Sequence, residues 1–342
     1  MTARKNRIRL VGALLALVLS LSLVGCAVRE GSADDGRLRV VTTLFPYYDF
    51  ARAVAGDRAD VTLLLAPGRE AHSFEPTPLD AVTISRADVF IYNGGEGEVW
   101  ADDMLDAVGG DIGTVLRMMD FVDAREEEFS EGMQGADSHD HAHDHDHDHD
   151  HELHDHAEHD HDDSDEVEYD EHIWTSPVNA MALCRAICDT LCEADPDNAD
   201  GYRARLEDYL GELQVLDNTF RNIVDGAARR LVVFGDRFPL LYFCKEYDLD
   251  YRAAFHGCAG DTEPSLATLK YLIDLVGAEH IPVVYTIELS SQKVANAIAE
   301  ATGAQVRTFH SCQTVSRAEF DGGATYISLM TANAAVLKEG LS

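Results

Sequence analysis

Sixteen histidines are distributed unevenly over 342 residues. Eleven of them fall in residues 138–163, SHDHAHDHDHDHDHELHDHAEHDHDD: His139, His141, His143, His145, His147, His149, His151, His154, His156, His159 and His161. Imidazole is a borderline ligand suited to zinc, copper and nickel, and at pH 7 it is available in its neutral form. The interleaved carboxylates add attraction for a dication. The tract therefore reads as a metal collector, since a purely solubilising acidic loop has no need of imidazoles. With almost no apolar content it cannot offset the entropy of ordering, which predicts a loop rather than a packed element.

A tight site needs convergent donors held by a fold, and five histidines remain to supply them: His72, His172, His256, His280 and His310. His72 in PGREAHSFEPTP follows a predicted strand among turn residues. His172 in YDEHIWTSP precedes a helix expected to begin near Pro177, and His310 ends a predicted strand in VRTFHSCQ. All three fall on strand-to-helix connections, the edge of a parallel sheet where open α/β folds place ligands. His280 stands at a predicted helix end before Ile281 and Pro282, where capping or exposure is the expected role. His256 in AAFHGC is left open between a metal role and none.

The elements that must position these residues follow from apolar periodicity. Leu38 to Phe45, Val61 to Leu65 and Val89 to Tyr92 read as buried strands, with helices over Tyr47 to Ala55 and Leu79 to Arg86 between them. The pattern recurs at Leu231 to Phe234, Tyr251 to Phe255, Val283 to Ile287 and Val306 to Phe309, separated by helices over Leu266 to Val276 and Val294 to Ala301. Such alternation predicts an α/β fold of two βα lobes with mostly parallel sheets. Between the lobes, Tyr202, Leu206, Tyr209, Leu213, Leu216, Phe220 and Ile223 repeat at helical spacing. One long rigid helix is expected to join the halves there.

The chain carries 27 Lys plus Arg against 62 Asp plus Glu, a net charge of −35. From Arg125 to Glu171 there are 21 acidic residues and one basic, so the excess is local. Nucleic acid is excluded as a partner, because its phosphates require clustered cations. Arg4, Lys5, Arg7 and Arg9 precede an apolar run from Leu10 to Val24, short for a membrane span and typical of a signal peptide. Its end, Leu23-Val24-Gly25-Cys26, resembles the bacterial lipobox, which implies a lipid on Cys26 and attachment to the cell membrane on its outer side. Six cysteines remain. Cys184, Cys188 and Cys192 recur every four residues and read as a buried small-residue stripe; Cys244 has no assigned role.

Taken in order, GREAHSFEPTP after LLLAPG, ADVFIYNGGEGEVW, EHIWTSP, LVVFGDRFPLLYFCKEYDL and TYISLMTAN resemble the metal-specific solute-binding lipoproteins of ABC importers, the ZnuA/TroA-like family of cluster A-I. The likeness runs over nearly all of Arg37 to Ser342. It implies two βα lobes on one rigid helix, with metal held in the interlobe cleft and no enzymatic activity. The implied organisation is a signal peptide over 1–25, a tether over 26–36, an N-terminal lobe over 37–195, a linking helix over 196–228 and a C-terminal lobe over 229–342. His72 and His172 match the family's first two ligands. Asp236, in FGDRFP, stands where the third is usually His or Glu, and a carboxylate there can bind directly, bind through water or hold another ligand. His310 stands at the fourth position. Glu288 is a candidate to support a ligand or replace one. Zinc-binding members can carry a disulfide at such positions, so the resemblance also implies a Cys258–Cys312 bridge. The implied partners are an ABC permease and its cytoplasmic ATPase, with the carrier itself a monomer.

Three imidazoles and one carboxylate suit tetrahedral zinc, whereas manganese prefers more oxygen donors. The reading is an extracytoplasmic zinc carrier, with a manganese-binding homologue or a surface zinc store or adhesin as alternatives. A zinc hydrolase is less well supported: His151-Glu152-Leu153-His154 lacks the H-E-x-x-H spacing. Deleting residues 139–161 should remove several weak zinc sites in a calorimetric titration and leave one tight site. Loss of the tight site would contradict this division of labour.

Overall fold

The computed structural model describes residues 36–71, 73–109, 112–133, 168–257 and 264–342. The leader with Cys26, His72, Cys258 and all eleven tract histidines lie outside the described residues.

Short apolar runs bounded by turn residues form two parallel sheets. The first contains β1 (Leu38–Thr42), β2 (Ala59–Leu63), β3 (Val89–Tyr92) and β4 (Thr114–Arg117) in the order β2-β1-β3-β4. The second contains β5 (Leu231–Phe238), β6 (Asp250–His256), β7 (Val283–Thr286) and β8 (Gln305–Thr308) in the order β6-β5-β7-β8, the same topology repeated. Helices α1 (Phe45–Ala55), α2 (Pro78–Ser85) and α3 (Val99–Val108) alternate with the first set of strands. In the second half α6 (Leu241–Glu246), α7 (Leu266–Ala278) and α8 (Lys293–Thr302) do so, and α9 (Arg317–Asp321) and α10 (Tyr326–Gly340) follow the last strand. Between them run α4 (Pro177–Ala194) and α5 (Ala199–Asp225). The expected fold class is therefore the observed one.

The boundaries differ from expectation in instructive ways. The first apolar run ends as a strand at Thr42, because Pro46 near the start of α1 favours a helix N-terminus and carries the remaining apolar residues into it. β4 was not expected, because only Leu116 of its four residues is buried and no alternation marks it. The linking helix begins after a 3-10 turn at Pro196–Asn198 and ends at Gly226, so it is shorter than 196–228. At 27 residues it is a rod of about 40 Å.

Strands buried on both faces explain the continuous apolar runs. Val40 and Ile91 face one cluster while the adjacent Val41 and Phe90 face another under the outer helices of the first lobe. Phe234 and Val233 divide in the same way in the second lobe. The inner cluster is shared: it contains Phe50 of α1, Ile187 of α4, Tyr202, Leu213 and Phe220 of α5, and Phe243 and Phe309 from the second lobe. Phe220 packs edge-on against Phe243 with ring centroids 4.8 Å apart. Burying each such ring contributes about 1.5–3 kcal/mol. Cys184, Cys188 and Cys192 lie buried as free thiols on α4, as their spacing implies.

One loop also stitches the lobes through the backbone. The Ser311, Gln313 and Val315 carbonyls accept from the Trp174 indole N–H (2.8 Å), the Phe45 N–H (3.3 Å) and the Gly68 N–H (2.7 Å). Beneath them, buried Asp49 of α1 accepts from the Tyr326 N–H at the start of α10 (2.8 Å) and from the Tyr209 hydroxyl of α5 (3.4 Å). Burial pushes the Asp49 carboxyl up to about 6, although Tyr326, Arg52 and Tyr209 all pull it down.

A carboxyl whose pKa is raised on folding favours the native state only while protonated, so its ionisation destabilises the fold as pH rises from about 4 through 6. The unfolding free energy of Asp49→Asn minus that of the parent protein should therefore climb by on the order of 2–3 kcal/mol over that interval and level off above it. A pH-independent difference in denaturant titrations would contradict the assignment.

Candidate functional site

His172 is fixed by its own neighbours. Asp170 Oδ1 accepts the His172 backbone N–H at 2.8 Å and lies 3.2 Å from its Nδ1. A 3-10 turn at Ile173–Thr175 and the Ser176 cap of α4, whose hydroxyl accepts from Val178 and Asn179, hold the segment from the other side. The carboxylate facing Nδ1 selects the tautomer with the proton there, which gives Nε2 the lone pair that a metal requires. Burial works against the charged ring, but Asp170, Glu171 and Glu127 outweigh it and raise the pKa. Trp174 packs edge-on against the ring at 5.6 Å. A Cβ on Gly257 would sit 3.0 Å from His172 Cε1 and 3.1 Å from the Phe238 carbonyl oxygen, closer than ordinary van der Waals contact, so a larger residue there would press on the His172 ring.

Asp236 lies where β5 slips register. Phe234 pairs with Ala253 and Arg237 with Phe255, so one residue too many occupies this strand and the bulge re-aims its side chains. A Cβ on the adjacent Gly235 would collide with the α8 backbone at Ala295, 2.5 Å away, which is why glycine stands there. Asp236 accepts from the backbone N–H groups of Arg237 (2.9 Å) and Ile287 (3.4 Å), and burial raises its pKa.

Glu288 follows Ile287 and is buried. Its Oε2 accepts the Ser311 N–H at 2.7 Å and its Oε1 accepts the Ser311 hydroxyl, so the carboxylate braces the His310–Ser311 corner. His310 is clamped again by Asn333, which accepts its N–H and donates to its carbonyl, both at 2.7 Å. The His310 ring is set opposite to that of His172. The Cys312 backbone N–H, which can only donate, points at His310 Nδ1 from 2.9 Å. The neutral ring therefore carries its proton on Nε2, which is buried without a hydrogen-bond partner among the described residues and lies 3.8 Å from Glu319 Oε1. Coordination through that Nε2 requires the proton to move to Nδ1, whose nearest carboxylate is Glu288 Oε2 at 3.6 Å.

His256 ends β6, and its Nδ1 faces Glu127 Oε1 at 3.1 Å. Glu127 also accepts the Gly257 N–H, and its hydrogen bond to His256 raises the imidazole pKa. Its strand-like stem, closed by bonds from Glu127 N to Glu168 O and from Asp170 N to Arg125 O, brackets the histidine tract. His280 is exposed just beyond α7, as expected of a helix end. Cys312 is a buried thiol with φ 65°, free among the described residues; Cys258, with which a disulfide is expected, lies outside them. Burial pushes that thiol well above its usual range.

The described residues thus form neighbouring groups rather than one shell. His172 joins Asp170, Glu127 and Gly257; Asp236 joins Ile287; Glu288 joins His310 and Ser311. Trp174 links the first group to the third. Among the described residues, no three His, Cys, Asp or Glu side chains converge as a metal-holding group. Asp170 was not expected, although a carboxylate two residues before His172 is a local signal for it; Glu127, Asn333 and Glu319 have no such signal, because they arrive from distant parts of the chain.

Residues 40–340 match the family described as ZnuA, zinc-uptake complex component A, periplasmic. The high-affinity zinc uptake system protein ZnuA of Bacillus subtilis is 31% identical over 328 residues, 95% of each chain. The zinc-binding lipoprotein AdcA of Streptococcus pneumoniae is 30% identical over 332 residues, 96% of this chain but 60% of that protein. The crystal structure of the Zn(II)-bound ZnuA-like domain of that AdcA has a TM-score of 0.68 at 26% identity, covering 90% of this chain and 99% of the other.

The opposed ring settings are directly observable. In metal-free protein at alkaline pH, imidazole nitrogen chemical shifts should report an Nδ1–H tautomer for His172 and an Nε2–H tautomer for His310. Finding the same tautomer in both would contradict the hydrogen-bond assignment.

Proposed function

From its membership of the ZnuA zinc-uptake family, to which this chain belongs, we propose that the protein is the extracytoplasmic zinc-binding component of an ABC importer, capturing zinc and delivering it to a permease driven by a cytoplasmic ATPase. The observation that carries the reading is His172, buried at the junction of the lobes with Asp170 holding its ring in the tautomer suited to a metal. We assign His72, His172, Asp236 and His310 as the zinc ligands. Glu288 supports His310, and His256 holds the stem of the collecting loop through Glu127. The tract histidines, His139 to His161, raise the local zinc concentration. A lipid on Cys26 keeps the monomeric carrier at the outer face of the cell membrane.

The family is a substrate-binding component of transport, and no hydrolytic role is proposed for this chain. Three imidazoles favour zinc over manganese. The shared core and the Ser311, Gln313 and Val315 carbonyl bonds oppose a large hinge motion between lobes. Capture therefore rests on ordering of loops, and release on distortion of the ligand set by the permease.

In competition titrations with a chelator, the purified protein should bind zinc far more tightly than manganese. His172→Ala and Asp236→Ala should each weaken zinc by more than the roughly 10- to 100-fold typical of supporting residues. Hydrolysis of esters or peptides by the zinc-loaded protein, or zinc binding unaffected by His172→Ala, would overturn the proposal.

A further inference from the structure

Arg237 places a guanidinium beside Asp236, an unexpected charge next to a group meant to receive a dication. The pair is part of the same bulged strand end, and the Arg237 charge already favours the ionised form of Asp236. Arg237 does not close on Asp236, however. Its Nη2 reaches out of the second lobe and donates to Glu70 Oε2 at 2.9 Å. Glu70 belongs to the first lobe and lies two residues before His72. Its loop is anchored to the second lobe a second time by the Gly68 N–H on the Val315 carbonyl. The Arg237 side chain is only 20% exposed and that of Glu70 39%, so solvent screens the ion pair incompletely.

We propose that Glu70 is a positioning residue for zinc capture: it draws Arg237 away from Asp236, cancels its charge and ties the His72 loop to the Asp236 strand. The proposal rests on the assignment of Asp236 as a ligand made above. Electrostatics supplies the reason. An uncompensated guanidinium repels an approaching dication and competes with it for the Asp236 carboxylate. With Glu70 in place, the same cation becomes a tether between lobes. The ion pair adds little to global stability, as is usual for partly exposed pairs, so its effect falls on the site.

The test uses the full-length, metal-free protein, zinc titration against a competing chelator and stopped-flow association. Glu70→Gln should raise the zinc Kd on the order of 10-fold, chiefly through slower association, and leave the thermal midpoint nearly unchanged. Adding Arg237→Gln to that variant should recover most of the loss, because the stranded charge is then gone. Equal weakening in the single and double variants would mean a merely structural tie and would overturn the proposal, as would parent-like binding by Glu70→Gln. Asp236→Asn separates the two levels: parent-like zinc binding there overturns the ligand assignment and the guard with it. Weakened binding there beside an unaffected Glu70→Gln overturns the guard alone.

Discussion

The Ser311–Val315 stretch turns alternate carbonyls toward the first lobe, where an indole N–H and two backbone N–H groups wait to meet them. These bonds lie over a core to which both sheets and α5 contribute. Much of the site hangs on this seam. His310 opens the stretch and Trp174 reaches it from two residues beyond His172. Gly68, at the other end, leads into the loop that contains His72. The Trp174 and Phe45 donors are buried, and a buried hydrogen bond is worth about 1 kcal/mol net, yet leaving its donor unmet costs more. The junction is therefore held in register as much by what separation would strand as by what contact gains.

The two sheets repeat one strand order, and in each the chain reverses direction of winding between its two central strands. In the second lobe these are β5 and β7, and Asp236 and Glu288 emerge at their ends, joined through the Ile287 N–H. The corresponding place in the first lobe is occupied by Asn93 and Glu98. Glu98 accepts from the Asn93 and Gly94 N–H groups, and burial pushes its pKa up to about 7. Crevices at such reversals are where open α/β sheets accept ligands.

The fold was legible because burial on both sheet faces writes itself into continuous apolar runs, and because the seven-residue stripe of α5 has only one helical reading. β4 was not, since an edge strand with one buried residue leaves no pattern. For the site, residue types and their place at strand ends pointed to His172 and His310, and Asp236 came only from the family resemblance, but the state of each ring was not legible. That depends on Asp170 in one case and on the Cys312 N–H in the other, and the second follows from a left-handed backbone turn that no side chain announces. Arg237 and Glu70 lie far apart in sequence, and neither carries a local signal for the other.

A core held in common has a bearing on how the molecule comes apart. Severed at α5, either half would present Phe50, Tyr202, Phe220 or Phe243 to water, so neither is a self-sufficient globule. A core shared across both sheets couples the unfolding of one lobe to that of the other, so architectural repetition here does not make two independent folding units.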